Sequence, residues 1–300
     1  MEKGTWFKKL FVLLLFMLLV FGNTVQAAGN GTTAGKASTS IEPADSKATA
    51  AAIAVKSVKM NKSSVTLLKG KTVTLSAKVS PSNATNKSLK WKSSNTKVAK
   101  VDSKGKVTAV GAGSAKITAA SSNGKTAAAA IKVPYSKNLS AGTWKAGTHL
   151  PAGRYKITTN SYAGNLFITM KSYDRYVNEI LAKSPKDGVT AVTTDIKKGD
   201  KIEILGLDKV QFTQVVSRVK SNTLHAGYWT VGKDIGAGRY KITTTDRMGN
   251  LFVSRGQSLL VNEILSAKKS DYSVTSVTTT LKNGDQIQLS GMNKVIFKKQ

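Results

Sequence analysis

Part of this chain is written twice. Gly153-Arg-Tyr-Lys-Ile-Thr-Thr159 returns letter for letter as Gly238 to Thr244, 85 residues downstream. Around that anchor Trp144 returns as Trp229, Gly164-Asn-Leu-Phe167 as Gly249 to Phe252, and Gly199-Asp200 as Gly284-Asp285. Lys209-Val210 and Phe212 return as Lys294-Val295 and Phe297, while Val177-Asn-Glu-Ile-Leu181 returns as Val261 to Leu265, one residue out of phase. Two copies of one sequence fold alike, so each constrains the other. Each copy runs about 75 residues, enough to hold a core of its own. Tyr155–Ile157, Leu166–Thr169, Ile202–Leu205 and Val210–Phe212 read as strands, with Lys198-Gly199-Asp200 as a hairpin turn. Trp144, Tyr155, Phe167 and Phe212, with their counterparts Trp229, Tyr240, Phe252 and Phe297, read as core aromatics of alternating strands.

The stretch before the duplication is also period two. Val73, Leu75, Ala77 and Val79 alternate with Thr72, Thr74, Ser76 and Lys78, and Leu89 and Trp91 alternate with Lys90 and Lys92. That pattern predicts half-buried strands with a polar outer face. Val98 and Val101 lead to a turn at Ser103-Lys104-Gly105; Val107 to Val110, then Ile117 to Ala119, follow as strands, separated by Gly111-Ala112-Gly113. Short strands with turn signals every eight to twelve residues predict an antiparallel sandwich.

The run Leu89-Lys-Trp-Lys-Ser-Ser-Asn-Thr-Lys-Val-Ala-Lys-Val-Asp102, followed by Gly105-Lys-Val-Thr-Ala-Val-Gly-Ala-Gly-Ser-Ala-Lys-Ile-Thr118, resembles the bacterial Ig-like group 2 (BIG2) domain. The resemblance implies an Ig-type sandwich over about 54–133 and a surface location. The family occurs in adhesins and in enzymes that use it as a spacer, so it implies no ligand. The two copies resemble an uncharacterised β repeat of Gram-positive secreted proteins, which implies no activity. The expected architecture is all-β: an Ig-like sandwich over 53–134, then two tandem sandwich-like repeats over 135–220 and 221–300.

The N-terminus reads as a removable leader. Lys3, Lys8 and Lys9 precede an apolar run of twelve residues from Leu10 to Phe21, and Val25-Gln26-Ala27 offers small residues to a signal peptidase. A membrane-spanning helix needs roughly 20 apolar residues, so cleavage after Ala27 is expected rather than a retained anchor. Residues 28–52, rich in Ala, Ser, Thr and Gly, read as a flexible linker. The chain has no cysteine. Lipid attachment at the leader and disulfide staples are therefore not expected, and each module must rely on its apolar core. Neither a sorting signal nor a second membrane segment is expected at the C-terminus. The protein should be secreted, with non-covalent association with the cell wall.

Forty-six Lys and Arg against sixteen Asp and Glu give a net charge of +30, or +28 without the leader. Residues 53–134 hold sixteen Lys, no Arg and one acid, for +15; the copies carry +7 and +6. Lysine is a mobile point charge without the planar fork of arginine, which suits diffuse attraction to a polyanion. Lys78, Lys87, Lys90, Lys92, Lys97 and Lys100 are the candidate polyanion-binding residues. Base reading would need Arg, Asn or Gln with interleaved aromatics, so no specific nucleic-acid partner is expected. The expected partner is an anionic wall polymer such as teichoic acid, or another extracellular polyanion; an adhesin capturing host polyanions or glycans is the alternative. Tyr162, Tyr173 and Tyr176, each present in one copy only, are candidate glycan contacts.

Catalytic chemistry has few candidates. His149 aligns with Asp234, and His225 with Ser140, so neither copy supplies a histidine pair or a Ser-His-Asp set, and with no cysteine a zinc site is not expected. Glu179 with Asp200, and Glu263 with Asp285, are the carboxylate pairs on which a hydrolase would have to rest. The alternative is that the aspartates cap their Gly-Asp turns and the glutamates satisfy a neighbouring amide or lysine. Gly111–Gly113 and Gly236–Gly238 lack a following helix or a second matching glycine, and read as hairpin turns rather than phosphate loops. No enzyme activity and no cofactor are expected.

Overall fold

A computed structural model describes residues 51–170 and 176–300. The expected leader and nearly all of the expected linker lie outside them, as does Tyr173. Among the described residues every regular element is a strand.

In the first module β2 (Ser64–Thr66), β9 (Thr126–Val133), β8 (Gly113–Ser121) and β5 (Leu89–Ser93) form one sheet in that order. The facing sheet runs β3 (Thr72–Thr74), β7 (Lys106–Ala109), β6 (Ala99–Val101), and β1 (Ser57–Met60) pairs with β4 (Ala77–Ser80). Alternation does the sorting. On β8 Ala115, Ile117 and Ala119 point in, while Lys116 points out. Leu75, Val98, Val107, Ile117 and Ile131 form the core, with Trp91 packed against it. Gly105, at φ +79°, closes the β6–β7 turn; a Cβ there would lie 2.4 Å from the Leu75 carbonyl and 2.9 Å from the Trp91 ring. Only glycine fits. The alternating run 72–79 is two strands rather than one: it leaves the β3 sheet after Thr74 and joins β1 from Ala77.

The two copies share one topology. The first folds as β10 (Ser136–Leu139), β17 (Val210–Gln214), β12 (Gly153–Thr159), β15 (Val192–Ile196) in one sheet and β11 (Gly142–Lys145), β16 (Lys201–Leu205), β13 (Ala163–Thr169), β14 (Tyr176–Ala182) in the other. The second repeats this as β18 (Thr223–Leu224), β25 (Val295–Lys299), β20 (Gly238–Thr244), β23 (Val277–Leu281) and as β19 (Gly227–Thr230), β24 (Gln286–Ser290), β21 (Gly249–Arg255), β22 (Ser258–Leu265). Trp144 and Trp229 occupy equivalent strands, as do Tyr155 and Tyr240. The cores are equivalent too: Tyr155 meets Phe212 edge-on, and Tyr240 meets Phe297, at centroid separations of 6.2 and 6.1 Å.

Three expectations are corrected. Lys198-Gly199-Asp200 is not a hairpin but a corner, carrying the chain from β15 in one sheet to β16 in the other. Gly111–Gly113 and Gly236–Gly238 are corners for the same reason, between β7 and β8 and between β19 and β20. Phe167 and Phe252 are not core: Leu166 and Ile168 take the inward positions on β13, Leu251 and Val253 those on β21, so the phenylalanines between them face outward, half-buried.

The sequence also left unseen how the copies meet. β15 of the first copy pairs in parallel with β19 of the second at Thr193 and Gly227, joining two four-stranded sheets into one of eight.

Candidate functional site

Charge dominates the first module. Fifteen of its sixteen lysines are exposed, and the half-buried Lys132 donates to Ser217 Oγ at 2.9 Å. The six predicted lysines are all exposed and are spread over the module. Lys90 and Lys92 stand on the outer face of β5 beside Lys116 of β8; Lys100 stands on the outer face of the opposite sheet; Lys78 lies directly across from Lys59 on β4 and β1. Lys87 and Lys97 sit in loops, Lys87 donating to the Ser82 carbonyl at 3.0 Å. The lone acid, Asp102, accepts the Lys104 and Lys106 amides of its own turn, at 2.9 and 2.8 Å. Like charges facing each other across a ladder cost stability, so this density is not explained by folding.

The copies use charge differently. Arg154, buried on β12, lies at the junction: Nη1 donates to Asp195 at 2.8 Å, Nη2 to the Tyr228 carbonyl at 2.7 Å, and the guanidinium sits over the Trp229 ring at 5.1 Å. Asp234 lies 3.5 Å away and also takes both arms of Arg218. Burial pushes the Asp234 carboxyl up, but the Arg218 fork, the Thr230 amide and Arg154 together hold it below its ordinary value. Gly227 makes the close approach possible; at φ +134° it passes so near β15 that a Cβ would lie 2.0 Å from the Thr193 carbonyl. His225 meets Thr193 Oγ1 at 2.9 Å and stacks edge-on against Trp229, and burial, with Lys156 and Arg154 nearby, pulls its pKa down to about 4.

Beside this clasp lies a groove of about 530 Å³ between β14 of the first copy and the outer face of β19, β24 and β21 of the second. Tyr176 lines it, exposed, its carbonyl accepting the Tyr228 hydroxyl at 2.8 Å. Glu179 is buried at its edge and accepts the Gly291 amide at 3.0 Å; burial pushes its pKa up to about 7 against the pull of that amide and of Ser290. Asn293 bridges the copies, accepting from Thr190 and donating to the Gly188 carbonyl at 3.0 Å. A second cavity, about 810 Å³, continues along the same face and shares Tyr228, Phe252 and Gln288.

The predicted residues fall as follows. Tyr176 is in the groove; Tyr162 stands apart, donating to Asp187 at 3.0 Å. Glu179 answers to the second copy, whereas Asp200 accepts the Lys197 amide of its own corner at 2.7 Å. Glu263 is exposed, whereas Asp285 caps Lys282 at 2.8 Å and takes both arms of Arg255. The members of each carboxylate pair thus have different neighbours. Arg154, Tyr228, Phe252, Asn250 and Gln288 were missed. Divergence between copies was a readable signal for two of them, Tyr228 replacing Thr143 and Gln288 replacing Glu203, as it was for Asp234 replacing His149. Arg154, Phe252 and Asn250 are the same in both copies and carried no such signal.

Residues 54–132 match the family model of the bacterial Ig-like domain (group 2). The chain is also 41% identical over 92 residues to Lacto-N-biosidase of Bifidobacterium bifidum, covering 29% of this chain and 8% of that protein. It is 37% identical over 86 residues to an uncharacterised protein of Clostridium acetobutylicum, covering 29% and 9%. The chain thus spans less than a tenth of the length of either relative. The family match bears out the Ig-like reading of the first module and points to an extracellular or surface-associated setting for it, while the two copies stand on their own geometry.

Proposed function

We propose that this is a secreted, non-catalytic binding protein of the cell surface, held at the envelope by attraction between its Ig-like module and anionic wall polymers such as teichoic acid. One observation carries the reading: the module's lysines are exposed on every one of its sheets while its single acid is tied into its own turn. Exposed charges act over a Debye length of about 8 Å at physiological salt, so neighbouring lysines sum into one field. The paired copies, with acids mixed among their bases, have a weaker and patchier field. The absence of catalysis is supported by the separate engagements of Glu179 and Asp200, since two-carboxylate hydrolysis needs both groups flanking one bond. Fractionating producing cells into medium, salt-washed wall and membrane tests the proposal. The protein is expected in the wall fraction and released by salt; recovery wholly in the medium, or in membrane after a salt wash, would overturn it.

A further inference from the structure

We propose that the groove between the two copies binds an uncharged oligosaccharide. The inference does not rest on the lysine surface; it rests on the contrast between one sheet face and its duplicate. The outer face of β19, β24 and β21 presents Tyr228, Thr230, Gln286, Gln288, Asn250 and Phe252, with no charged side chain among them. The duplicate face in the first copy has Lys145, Lys201 and Glu203 where this one has Thr230, Gln286 and Gln288. There Lys201 and Glu203 form an ion pair at 2.8 Å. Same fold, same strand positions, yet the charges are gone only where the face turns into a groove. The fold does not require the change, because the same strands carry the charged residues 85 residues earlier.

What replaces the charges has a definite chemistry. Gln288 and Phe252 sit side by side across the β21–β24 ladder, with Tyr228 next to Gln288 across β19–β24. Asn178, from β14, lines the same groove. Among the described residues no protein group hydrogen-bonds the side-chain amides of Asn178, Asn250 and Gln288, and the two asparagines are exposed. Each amide offers two donors and an acceptor, which suits paired sugar hydroxyls or acetamido groups. The half-buried Phe252 and the exposed Tyr176 supply apolar ring surface for the C–H faces of pyranose rings. A cavity of about 530 Å³ leading into one of about 810 Å³ is room for a chain of rings rather than a single sugar. Glu179, raised by burial to about 7, is largely protonated in mildly acidic medium and keeps the groove's edge neutral there.

The test is calorimetric titration of the chain lacking residues 1–27 at high salt, which suppresses the lysine field. The probes are chitotetraose, bearing acetamido groups, cellotetraose, bearing hydroxyls alone, and a sulfated heparin tetrasaccharide. Binding of either uncharged probe is expected, and which of the two binds tells an acetamido-sugar strand from a plain glucan. The variant T230K/Q286K/Q288E writes the first copy's residues onto this face, which that fold already tolerates, and is expected to weaken binding about tenfold or more. Phe252→Ala should weaken it similarly, through lost ring contact. Retained affinity in the triple variant, binding of the sulfated probe alone, or no binding of either uncharged probe would each overturn the proposal.

Discussion

The two copies are one sequence in two settings, and they differ where they touch. Arg154 is buried in ion pairs and over a tryptophan, whereas its duplicate Arg239 is exposed. Glu179 is buried under the turn at Gly291, whereas Glu263 is exposed. Gly227 presses on Thr193, whereas Gly142, at nearly the same φ, meets only its own strand's Trp144, at 3.8 Å. Shared residues therefore built the fold, and a handful of divergent partners, chiefly Tyr228, Asp234 and Asp195, turned one sheet edge into a joint. Asp195 has Thr280 as its duplicate and Asp234 has His149, so the free edges of the pair lack the charges that make the joint.

Substitutions at matched positions sharpen that contrast. The largest effect is expected at the arginines. Arg154→Ala removes the bonds to Asp195 and the Tyr228 carbonyl and the contact with Trp229, while Asp234 keeps Arg218, and should cost about 2–4 kcal/mol in denaturant unfolding. Arg239→Ala should move stability by no more than about 0.5 kcal/mol. Equal effects would mean that the clasp is not what distinguishes the copies.

The glycines come next. Gly227→Ala and Gly142→Ala share a cost of about 1–3 kcal/mol for a side chain in a left-handed backbone. Only the former also drives a methyl into the Thr193 carbonyl, so it should be the more destabilising and should raise amide exchange along β15 and β19. If the two variants matched, β15 and β19 would not be in close register in solution.

The smallest effect is a pH dependence. Glu179 has its folded pKa raised to about 7 from an ordinary 4.5, so the folded state binds the extra proton between these values. Its favourable contribution is complete below pH 4.5, declines as pH rises, and is lost above about 7. His225, lowered to about 4, works the other way: its contribution is present above its ordinary 6.5 and is lost as pH falls towards 4. The two offset each other over their common range. Glu179→Gln should therefore flatten the decline above pH 6 and raise stability at pH 8 by about 1–3 kcal/mol. Glu263→Gln should change stability by less than about 0.5 kcal/mol. A decline that persisted in Glu179→Gln would assign it to another group.

Much of the fold was legible because side-chain alternation and duplication are written directly in the residues. Tyr155 and Phe212 were recognisable as core, and Asp200 and Asp285 as caps of their own turns, because a Gly-Asp step needs that cap wherever it occurs. What alternation cannot say is which sheet a strand joins. The run 72–79 keeps strict period two while crossing between sheets, and a corner at Lys198–Asp200 uses the same residues as a hairpin would. Phe167 and Phe252 misled for a related reason: hydrophobicity favours the inside, but Leu and Ile on either side had already claimed it. The joint and groove depend on contacts between distant segments such as Thr193 with Gly227, and their only trace was the positions where the second copy departs from the first.

The central claim, that the Ig-like module holds the protein to anionic wall polymer, meets its most direct test in a salt titration. The chain lacking residues 1–27 and its variant with Lys78, Lys87, Lys90, Lys92, Lys97 and Lys100 all changed to Gln would be bound to purified walls with and without teichoic acid. Each lysine that neutralises a fixed anion releases counterions, so log affinity should fall linearly with log salt; that rule is calibrated on nucleic acid and carried over here. The account predicts binding that needs teichoic acid, at least about tenfold weaker in the variant and with a shallower salt slope. Unchanged affinity in the variant, or binding indifferent to salt and to teichoic acid, would contradict it and move the wall contact to the paired copies.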